Sequence, residues 1–244
     1  MEKINVFWTS GLDSTCRITE LATIPEIEIH PIYIHDEGRA SSKIEMDRIR
    51  KMTELIRRNP STKANLLDTV IVPKRSIEIS PELERIDKII RKRYSLGKQY
   101  LWLSAFLEQN DICADLAAES PLVGINAAVN GECRLTTEGS GDLREVLVPD
   151  PKDSTPEGLA MFSRYRFPKH IWYIYKEDEI AEMKALGYED VFKLTWFCHR
   201  PIFGMPCGHC VPCKTALHDG LGWRIPRISR ILYPFVRPFQ KLFK

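Results

Sequence analysis

Four cysteines lie within sixteen residues near the C-terminal end of the chain and could bind a metal ion. Their spacing is C-x8-C-x2-C-x2-C, and the four are Cys198, Cys207, Cys210 and Cys213. Four thiolates with two x2 gaps are typical of tetrahedral zinc, and four protein ligands leave no open position, which predicts a structural site. An iron–sulfur cluster also uses four cysteines and is the competing interpretation. His199 and His209 are close in sequence, but four thiolates need no further ligand.

A second group of reactive residues follows the first apolar run, in the segment FWTSGLDST of residues 7–15. A turn that opens a helix presents free backbone N–H groups and the positive end of the helix dipole. Gly11 lets an anion approach the backbone closely. Hydroxyl donors nearby belong to Thr9, Ser10, Ser14 and Thr15. The pattern predicts a phosphate site, and the alternative is a helix capped by Asp13 or Ser14 without a ligand. The chain has no G-x-x-x-x-G-K-[ST] motif, which excludes a Walker-type loop.

The elements that must position these residues alternate between strands and helices. Short apolar runs predict strands over residues 4–8, 27–35 and 70–72. Helical spacing of apolar residues predicts helices over residues 14–21, 41–58, 81–93, 98–108 and 177–186. Residues 123–125 resemble a strand end, and residues 130–157 form a polar region that contains glycine and proline. This alternation predicts an α/β fold with a parallel sheet between helices.

The bulk composition is that of an ordinary globular chain. Hydrophobic residues make up 43%, charged residues 28%, and the formal net charge is +2, so no overall field demands a nucleic-acid partner. There is no charged-then-apolar leader and no apolar run long enough to span a bilayer. We therefore expect a cytoplasmic location, where Cys16, Cys113 and Cys133 remain small buried thiols.

The turn in residues 9–14 (TSGLDS) resembles the S-G-G-x-D-S loop of the PP-loop ATP pyrophosphatases, which hold the pyrophosphate end of ATP. In this alignment the leading Ser-Gly of the family falls on Thr9 and Ser10. Residues 195–198 (TWFC) and 207–213 (CGHCVPC) fit the closing motifs of one branch of that superfamily. Together the opening and closing motifs resemble the 7-cyano-7-deazaguanine (preQ0) synthase family of queuosine-precursor biosynthesis.

Landmarks of that family between the two motifs fall on four further segments. These are residues 36–39 (DEGR), 97–99 (GKQ), 124–126 (GIN) and 130–134 (NGECR). The resemblance covers most of residues 4–220 and is closest at its two ends. The middle segments, where the family would recognise its deazapurine acid, differ from the family pattern.

The resemblance implies a fold and a reaction. The fold would be an open, mostly parallel sheet of the adenine-nucleotide alpha hydrolase (Rossmann-like, HUP) type with a small C-terminal zinc-binding module. The cofactors would be ATP, Mg²⁺ and structural Zn²⁺. The enzyme would be a C–N bond-forming ligase that adenylates a purine-like carboxylic acid and converts it with ammonia to an amide and then a nitrile.

The resemblance also implies roles for single residues. The catalytic residues would be Ser14, Asp13 and Lys98. The nucleotide would be held by Trp8, Thr9, Ser10, Gly11, Leu12, Asp13, Ser14, Thr15, Asp36, Gly38 and Gly124. Lys98 and Arg134 are candidate cations for a phosphate or a carboxylate, and exposed surface charge is their alternative interpretation.

Three other functions stay open. A PP-loop enzyme that adenylates tRNA and inserts sulfur would use reactive cysteines outside the metal site, and the basic segment 91–93 would suit RNA. A degenerate family member would bind nucleotide without turnover. A repurposed synthase would modify a protein or another metabolite. Nucleic acid is a possible but not a favoured partner.

The chain divides by composition into residues 1–194 (nucleotide-binding domain), 195–222 (zinc-binding knuckle) and a basic, aromatic tail, 223–244. The tail has six basic and no acidic side chains. Pro226, Pro234 and Pro238 are expected to prevent one long helix. The tail could contact a membrane surface or polyanion, but packing on its own domain or on a partner subunit is favoured. Together with the family resemblance, it suggests a homodimer.

Overall fold

The computed structural model describes residues 1–118 and 124–242, with the last four of these described by their backbone alone. Its strands are β1 (Glu2–Phe7), β2 (Ile27–His35), β3 (Asn65–Leu66), β4 (Val70–Pro73), β5 (Ala114–Asp115), β6 (Leu135–Glu138), β7 (Val146–Pro149) and β8 (Tyr165–Pro168). Its helices are α1 (Leu12–Ala22), α2 (Ser42–Arg58), α3 (Pro81–Arg93), α4 (Gln99–Gln109), α5 (Ile125–Glu132), α6 (Pro156–Phe162), α7 (Lys169–Tyr173), α8 (Lys176–Ala185), α9 (Glu189–Leu194), α10 (Val211–His218) and α11 (Arg227–Leu242).

One mixed sheet of eight strands runs through the molecule, in the order β3-β2-β1-β5-β8-β7-β6, with β4 also paired to β2. The pairs from β3 and β4 through β8 are parallel, and the β6–β7–β8 edge is antiparallel. If β3 and β4 are counted as one interrupted strand, the parallel strands follow the order third, second, first, fourth, fifth. The chain order therefore reverses beside β1, where open α/β sheets leave a crevice at the carboxyl ends of their strands. The predicted α/β fold with a mostly parallel sheet is confirmed.

Both faces of the sheet are covered by helices. Successive side chains of β2 point to opposite faces, and apolar side chains of β2 are buried on each face. Ile29 and Tyr33 pack in one core with α1, α2 and α9. Ile32 and Ile34 pack in the other core with α3, α4 and α6. A one-residue slip of β2 would exchange these two faces, so the register is strongly specified.

One local prediction is wrong for its described residues. Gly124 and Ile125 do not belong to a strand: Gly124 has φ +56° and precedes α5, which begins at Ile125, while Val123 lies outside the described residues. The polar segment 130–157 contains a hairpin of β6 and β7, for which no strand was predicted. The two strands pair at the antiparallel edge of the sheet, where β7 is buried and β6 is mostly exposed. Because β6 is exposed, its sequence has no apolar pattern that would predict a strand.

The C-terminal region forms a third core. The four clustered cysteines share it with Trp196, Ile225 and Tyr233, so residues of the predicted tail pack on the predicted knuckle. Ser229, fully buried, donates from Oγ to the Pro206 carbonyl at 2.6 Å. The start of the tail is thus part of the folded core of this region.

The prediction that prolines interrupt the tail is also wrong. Helix α11 continues through Pro234 and Pro238. Pro234 has no N–H to donate to the carbonyl oxygen of Arg230, which is its normal helical partner. His209 replaces that donor, since its Nε2 lies 2.9 Å from the Arg230 oxygen and its ring stacks on Tyr233 at 4.4 Å. Within the described residues, no helix combines the length and the apolar character that crossing a bilayer requires.

Candidate functional site

The β1–α1 loop, residues 8–11, lies at the carboxyl end of β1. Trp8 is fully buried and donates from Nε1 to Thr15 Oγ1 at 2.9 Å. Thr15 is also fully buried. These two predicted nucleotide-binding side chains therefore lie beneath the loop, where they fix its path rather than contact a ligand through their side chains.

Ser10 has a strained backbone. Its φ is +60°, in the left-handed region that costs a residue with a Cβ about 1–2 kcal/mol. The resembled loop has glycine at this place, where no such cost arises. The Ser10 carbonyl accepts a hydrogen bond of 2.7 Å from the Trp196 N–H, which ties the loop to the C-terminal region. Its buried hydroxyl has no hydrogen-bond partner among the described residues.

The N-terminus of α1 is open to a ligand. Gly11 takes the N-cap position in an extended conformation, and no described side chain caps the helix. The alternative interpretation of Asp13 or Ser14 as a cap is therefore not what the structure has. The Ser14 hydroxyl makes only long contacts of 3.4 Å, to the Thr9 N–H and the Gly11 carbonyl. The first backbone N–H groups of α1 and this hydroxyl can together receive an anion.

Asp13 would oppose an anion, but its charge has a partner. Asp13 Oδ1 lies 3.1 Å from Lys176 Nζ, at the start of α8. Both side chains are partly buried. The pair is neutral in sum, so the positive end of α1 is not cancelled by the carboxylate beside it.

A cavity of about 370 Å³, here called the sheet lobe, opens in front of the loop. Its polar lining comes from Thr9, Gly11, Asp13, Ser14, Asp36, Arg39, Gln99, Gly124, Asn126 and His199. Its apolar lining includes Ile32, Ile34, Tyr100, Trp102 and Leu103. The sheet lobe thus joins an anion-binding helix terminus to an apolar and aromatic wall, in the crevice that the strand order creates beside β1.

A second cavity of about 300 Å³, here called the module lobe, lies between the loop and the four-cysteine region. It shares five lining residues with the sheet lobe: Thr9, Gly11, Asp13, Arg39 and His199. Trp196, Phe197 and Arg224 line it from the C-terminal side. The two lobes therefore meet at the β1–α1 loop.

Arg224 supplies a rigid cation to the module lobe. Its Nη2 donates to the carbonyl oxygen of Thr195 at 2.5 Å and to the Thr195 hydroxyl at 2.8 Å. The guanidinium lies over the rings of Phe192 and Phe197, at 5.3 and 5.0 Å from their centroids. Burial and the charge of Arg48 lower the pKa of Arg224 to about 10, so it stays protonated at neutral pH.

Arg39 is positioned by a buried carboxylate. Its Nε lies 3.1 Å from Glu45 Oε1, and the same carboxylate accepts hydrogen bonds from Ser41 Oγ at 2.6 Å and from Tyr33 OH at 2.9 Å. Burial and the positive charge of Arg39 lower the pKa of His199, which also lines both lobes. The module lobe thus has three cationic side chains. Lys176 is paired with Asp13 and Arg39 with Glu45, whereas Arg224 has no carboxylate partner among the described residues and is best placed to bind an acidic group.

The structure brings together most, but not all, of the predicted residues. Thr9, Gly11, Leu12, Asp13, Ser14, Asp36 and Gly124 line one or both lobes. The side chains of Trp8, Ser10 and Thr15 are fully buried and line neither lobe. Lys98 and Gly38 are exposed and line neither lobe, and Arg134 is exposed at the start of β6. Lys98 precedes Gln99, which does line the sheet lobe.

The sequence analysis did not identify four side chains that line the lobes. These are the cations Arg39, Lys176 and Arg224 and the amide Asn126. Arg39 directly follows the turn after β2, at the carboxyl end of a central strand, and this position could have identified it. Asn126 lies in the GIN segment. Lys176 and Arg224 carry no sequence signal, because α8 and the Leu221–Arg224 turn reach the lobe only through packing.

The four-cysteine cluster has the geometry of a metal site. Cys207 and Cys213 Sγ atoms are 3.9 Å apart, as are those of Cys198 and Cys210, and all four lie within 4.8 Å of one another. Four sulfurs bound tetrahedrally at about 2.3 Å would be about 3.8 Å apart. The N–H groups of Cys207, His209 and Cys210 donate to cluster sulfurs at 3.2–3.4 Å. These residues can hold a structural metal such as zinc.

Gly208 makes the turn of the cluster possible. Its φ is +74°, and a Cβ there would lie 2.4 Å from the Arg230 side chain on α11. His209 faces away from the sulfurs toward Arg230 and Tyr233, which agrees with its expected place outside the coordination sphere.

The sequence was also compared with protein-family models and with curated proteins, and neither comparison found a match.

Proposed function

We propose that the protein is an ATP-dependent ligase that adenylates a carboxylic acid and converts it with ammonia to an amide or nitrile, as a 7-cyano-7-deazaguanine synthase does. The observation that carries the proposal is the meeting of two unlike lobes at the uncapped N-terminus of α1. One lobe offers an apolar and aromatic wall, and the other offers cations. A reaction that joins a nucleotide to an anionic second substrate needs such a junction.

In this proposal the sheet lobe holds ATP, within the HUP type of fold. The base lies against Tyr100 and Trp102, and the pyrophosphate end meets the N–H groups of the loop and the Ser14 hydroxyl. Asp13 and Asp36 offer the carboxylate oxygens that Mg²⁺ prefers, and both line the sheet lobe. Bound Mg²⁺ would supply positive charge to the phosphate oxygens.

The module lobe holds the acid. Arg39 and Arg224 bind and orient its carboxylate, while Trp196 and Phe197 provide flat surfaces for a heterocycle. The carboxylate oxygen attacks the α-phosphorus, the bond to the β-phosphate oxygen breaks, and pyrophosphate leaves. Ammonia then displaces AMP to give the amide. A second ATP adenylates the amide oxygen with release of pyrophosphate, and loss of the N–H protons with cleavage of the C–O bond expels AMP and leaves the nitrile. Holding both substrates at one loop converts this encounter into an intramolecular step.

The metal of the four-cysteine cluster is, in this proposal, a structural zinc ion. Its four thiolate ligands leave no position for a substrate. The zinc fixes residues 195–199, which supply Trp196 and Phe197 to the module lobe and the N–H that binds the Ser10 carbonyl. Zinc would therefore act on catalysis by positioning the chain.

Sulfur insertion into tRNA receives less support from the site. None of the seven cysteines, all of which belong to the described part of the chain, lines either lobe. Cys16 and Cys133 are buried, and burial is the main cause that raises the pKa of each thiol, which opposes a reactive thiolate.

The test is turnover of ATP and Mg²⁺ with 7-carboxy-7-deazaguanine and ammonia, followed by mass spectrometry. The proposal expects pyrophosphate release that depends on the acid. The product should have the mass of the amide, in which NH2 replaces the OH of the acid, or of the nitrile, which lacks the elements of one further water. Arg224→Met should lose the pyrophosphate release that the acid induces. The control Arg227→Met, on the exposed start of α11, should keep it. ATP binding without release on addition of the acid would contradict the proposed substrate, and no ATP binding would contradict the site.

A further inference from the structure

A second group of metal-ligating side chains lies outside the two lobes, between α1 and α8. Cys16 and Glu20 are four residues apart on α1, so they share one face of the helix. Glu182 approaches them from α8. The Cys16 sulfur and one carboxylate oxygen from each of Glu20 and Glu182 lie within 4.8 Å of one another. Cys16 and Glu20 are fully buried.

Glu20, one of the three residues of this group, has an oxygen whose hydrogen-bonding capacity no described residue satisfies. Its Oε2 lies 3.4 Å from Arg17 Nη1, whereas Oε1 has no hydrogen-bond partner among the described residues. Arg17 is mainly engaged elsewhere, since its Nε lies 2.7 Å from Asp115 Oδ2 and its Nη1 donates to the Leu143 carbonyl at 2.6 Å. A fully buried carboxylate with one oxygen unsatisfied is costly unless a cation completes it.

The rest of the surroundings add negative charge and access. Burial, followed by the charges of Glu20, Glu179 and Glu182, raises the pKa of the Cys16 thiol, so Cys16 is protonated in the absence of a metal and an ion must displace its proton. Glu20, Glu182 and His170 line a cavity of about 560 Å³ that shares no lining residue with either lobe. Cys16 does not line this cavity, so the cavity brings an ion to Glu20 and Glu182, two of the three ligands, without passing through the proposed substrate site.

We propose that Cys16, Glu20 and Glu182 form a second metal site, which takes a thiophilic divalent cation of the zinc type. On binding, the Cys16 thiol loses its proton to solvent and the thiolate and both carboxylates ligate the ion, with water from the cavity in the fourth position. The thiolate selects zinc over Mg²⁺ or Ca²⁺, which prefer sets of oxygen ligands.

His170 completes the site from outside the coordination sphere. Its Nε2 lies 2.6 Å from Glu182 Oε1, which orients this ligand as imidazole–carboxylate pairs do around metals. The ion would join α1 to α8, and α8 begins at Lys176, the partner of Asp13 in the β1–α1 loop. The second site would thus stabilise the helix that carries a cation of the proposed acceptor site.

The test measures zinc per chain at equilibrium with buffered free zinc, by inductively coupled plasma mass spectrometry, in the full-length protein. Wild type should bind one equivalent more than Cys16→Ser and than Glu182→Gln, because the four-cysteine cluster is common to all three and cancels in the difference. Glu177→Gln, an exposed change on the same helix, and Cys113→Ser should match wild type. Loss of a ligand should lower the affinity for the extra zinc by at least the roughly tenfold that is typical for loss of an outer-shell partner. Zinc contents are therefore compared at a free zinc concentration that fills the site in wild type but not in the variants.

Glu182 is partly exposed, so Glu182→Gln keeps the test decisive if Cys16→Ser fails to fold. Replacement of the bound metal by Co²⁺ gives an independent measure: wild type should show thiolate-to-cobalt absorption from five sulfurs, and Cys16→Ser from four. Equal zinc content in wild type and both variants would overturn the proposal. The outcome does not depend on ATP or on the acid, so it is separate from the proposed function.

Discussion

The four-cysteine cluster and the β1–α1 loop are both built on tight turns, but they gather opposite charges. The cluster brings four sulfurs within 4.8 Å, a set that a cation must complete. The loop brings together the uncapped N–H groups of α1 and the Ser14 hydroxyl, which makes only long contacts within the protein, and this set suits an anion. One hydrogen bond, from the Trp196 N–H to the Ser10 carbonyl, connects the two regions.

The two regions also differ in how far they reach along the chain. All ligands of the cluster come from residues 198–213, and the backbone around them donates to their sulfurs. The two lobes combine residues from β2, α4, α5, α8 and the C-terminal region with the loop. A change in the cluster should therefore destabilise a folding unit, whereas a change in a lobe should alter binding with little effect on stability.

The largest effect is expected for Cys213→Ser. Cys213 is fully buried, so this variant should lose the cluster metal and at least about 3 kcal/mol of unfolding free energy, because a structural metal contributes its binding energy to folding. Metal analysis and thermal denaturation measure both quantities. Cys113→Ser, outside the cluster, is the matched control. A variant of normal stability that has lost its metal would show that the cluster is not structural.

Ser14→Ala should impair the function of the loop and leave the four-cysteine cluster unaffected. Its hydroxyl makes only 3.4 Å contacts within the protein, so unfolding free energy and metal content should stay near wild type. Pyrophosphate release should fall by about 10²–10³, as for loss of one preorganised donor. Thr15→Val is the contrasting control, since it strands the buried Trp8 N–H and should cost about 1–3 kcal/mol of stability. Full turnover in Ser14→Ala would remove this hydroxyl from the mechanism.

Arg224→Lys tests the acceptor side with the charge retained. A lysine cannot reproduce the stacking between Phe192 and Phe197 or the paired bonds to Thr195. We expect KM for the acid to rise by about tenfold, which corresponds to about 1.4 kcal/mol, with ATP affinity unchanged. Steady-state kinetics with each substrate varied in turn would measure this. An equal loss for ATP and acid would mean that Arg224 holds the fold of both lobes.

Ser10→Gly should have the smallest effect and the opposite sign. Glycine adopts φ +60° without strain, so unfolding free energy should rise by about 1 kcal/mol. Chemical denaturation measures the gain, and Ser163→Gly on the exposed end of α6 serves as a control without positive φ. A loss of stability would mean that the buried Ser10 hydroxyl makes an interaction that outweighs the strain.

The difference between the two regions also explains what the sequence could predict. The cluster ligands follow from spacing alone, because a metal site within sixteen residues needs only local geometry. The strand, turn and helix around Gly11 follow from an apolar run and turn chemistry. Arg39, Lys176 and Arg224 converge from three distant segments. The position of Arg39 after β2 is a sequence signal, whereas nothing in the local sequence of Lys176 or Arg224 indicates that they reach the lobe.

Helix α11 shows a further limit of local rules. Its two internal prolines predict an interruption, yet the helix continues through both. At Pro234 the missing donor to the Arg230 carbonyl is replaced by His209, which is twenty-one residues from Arg230 in the sequence. The hairpin of β6 and β7 escaped prediction for a similar reason: its edge strand has no apolar periodicity and takes its place through pairing. In both cases a tertiary partner decides the local structure.

The most direct measurement of the central claim is ³¹P nuclear magnetic resonance of ATP incubated with the protein, Mg²⁺, the acid and ammonia. If the α1 N-terminus holds the pyrophosphate end of ATP and Arg39 and Arg224 present a carboxylate to the α-phosphorus, the products are AMP and pyrophosphate. Formation of ADP and phosphate, or unchanged ATP in the presence of a bound acid, would contradict the proposed arrangement.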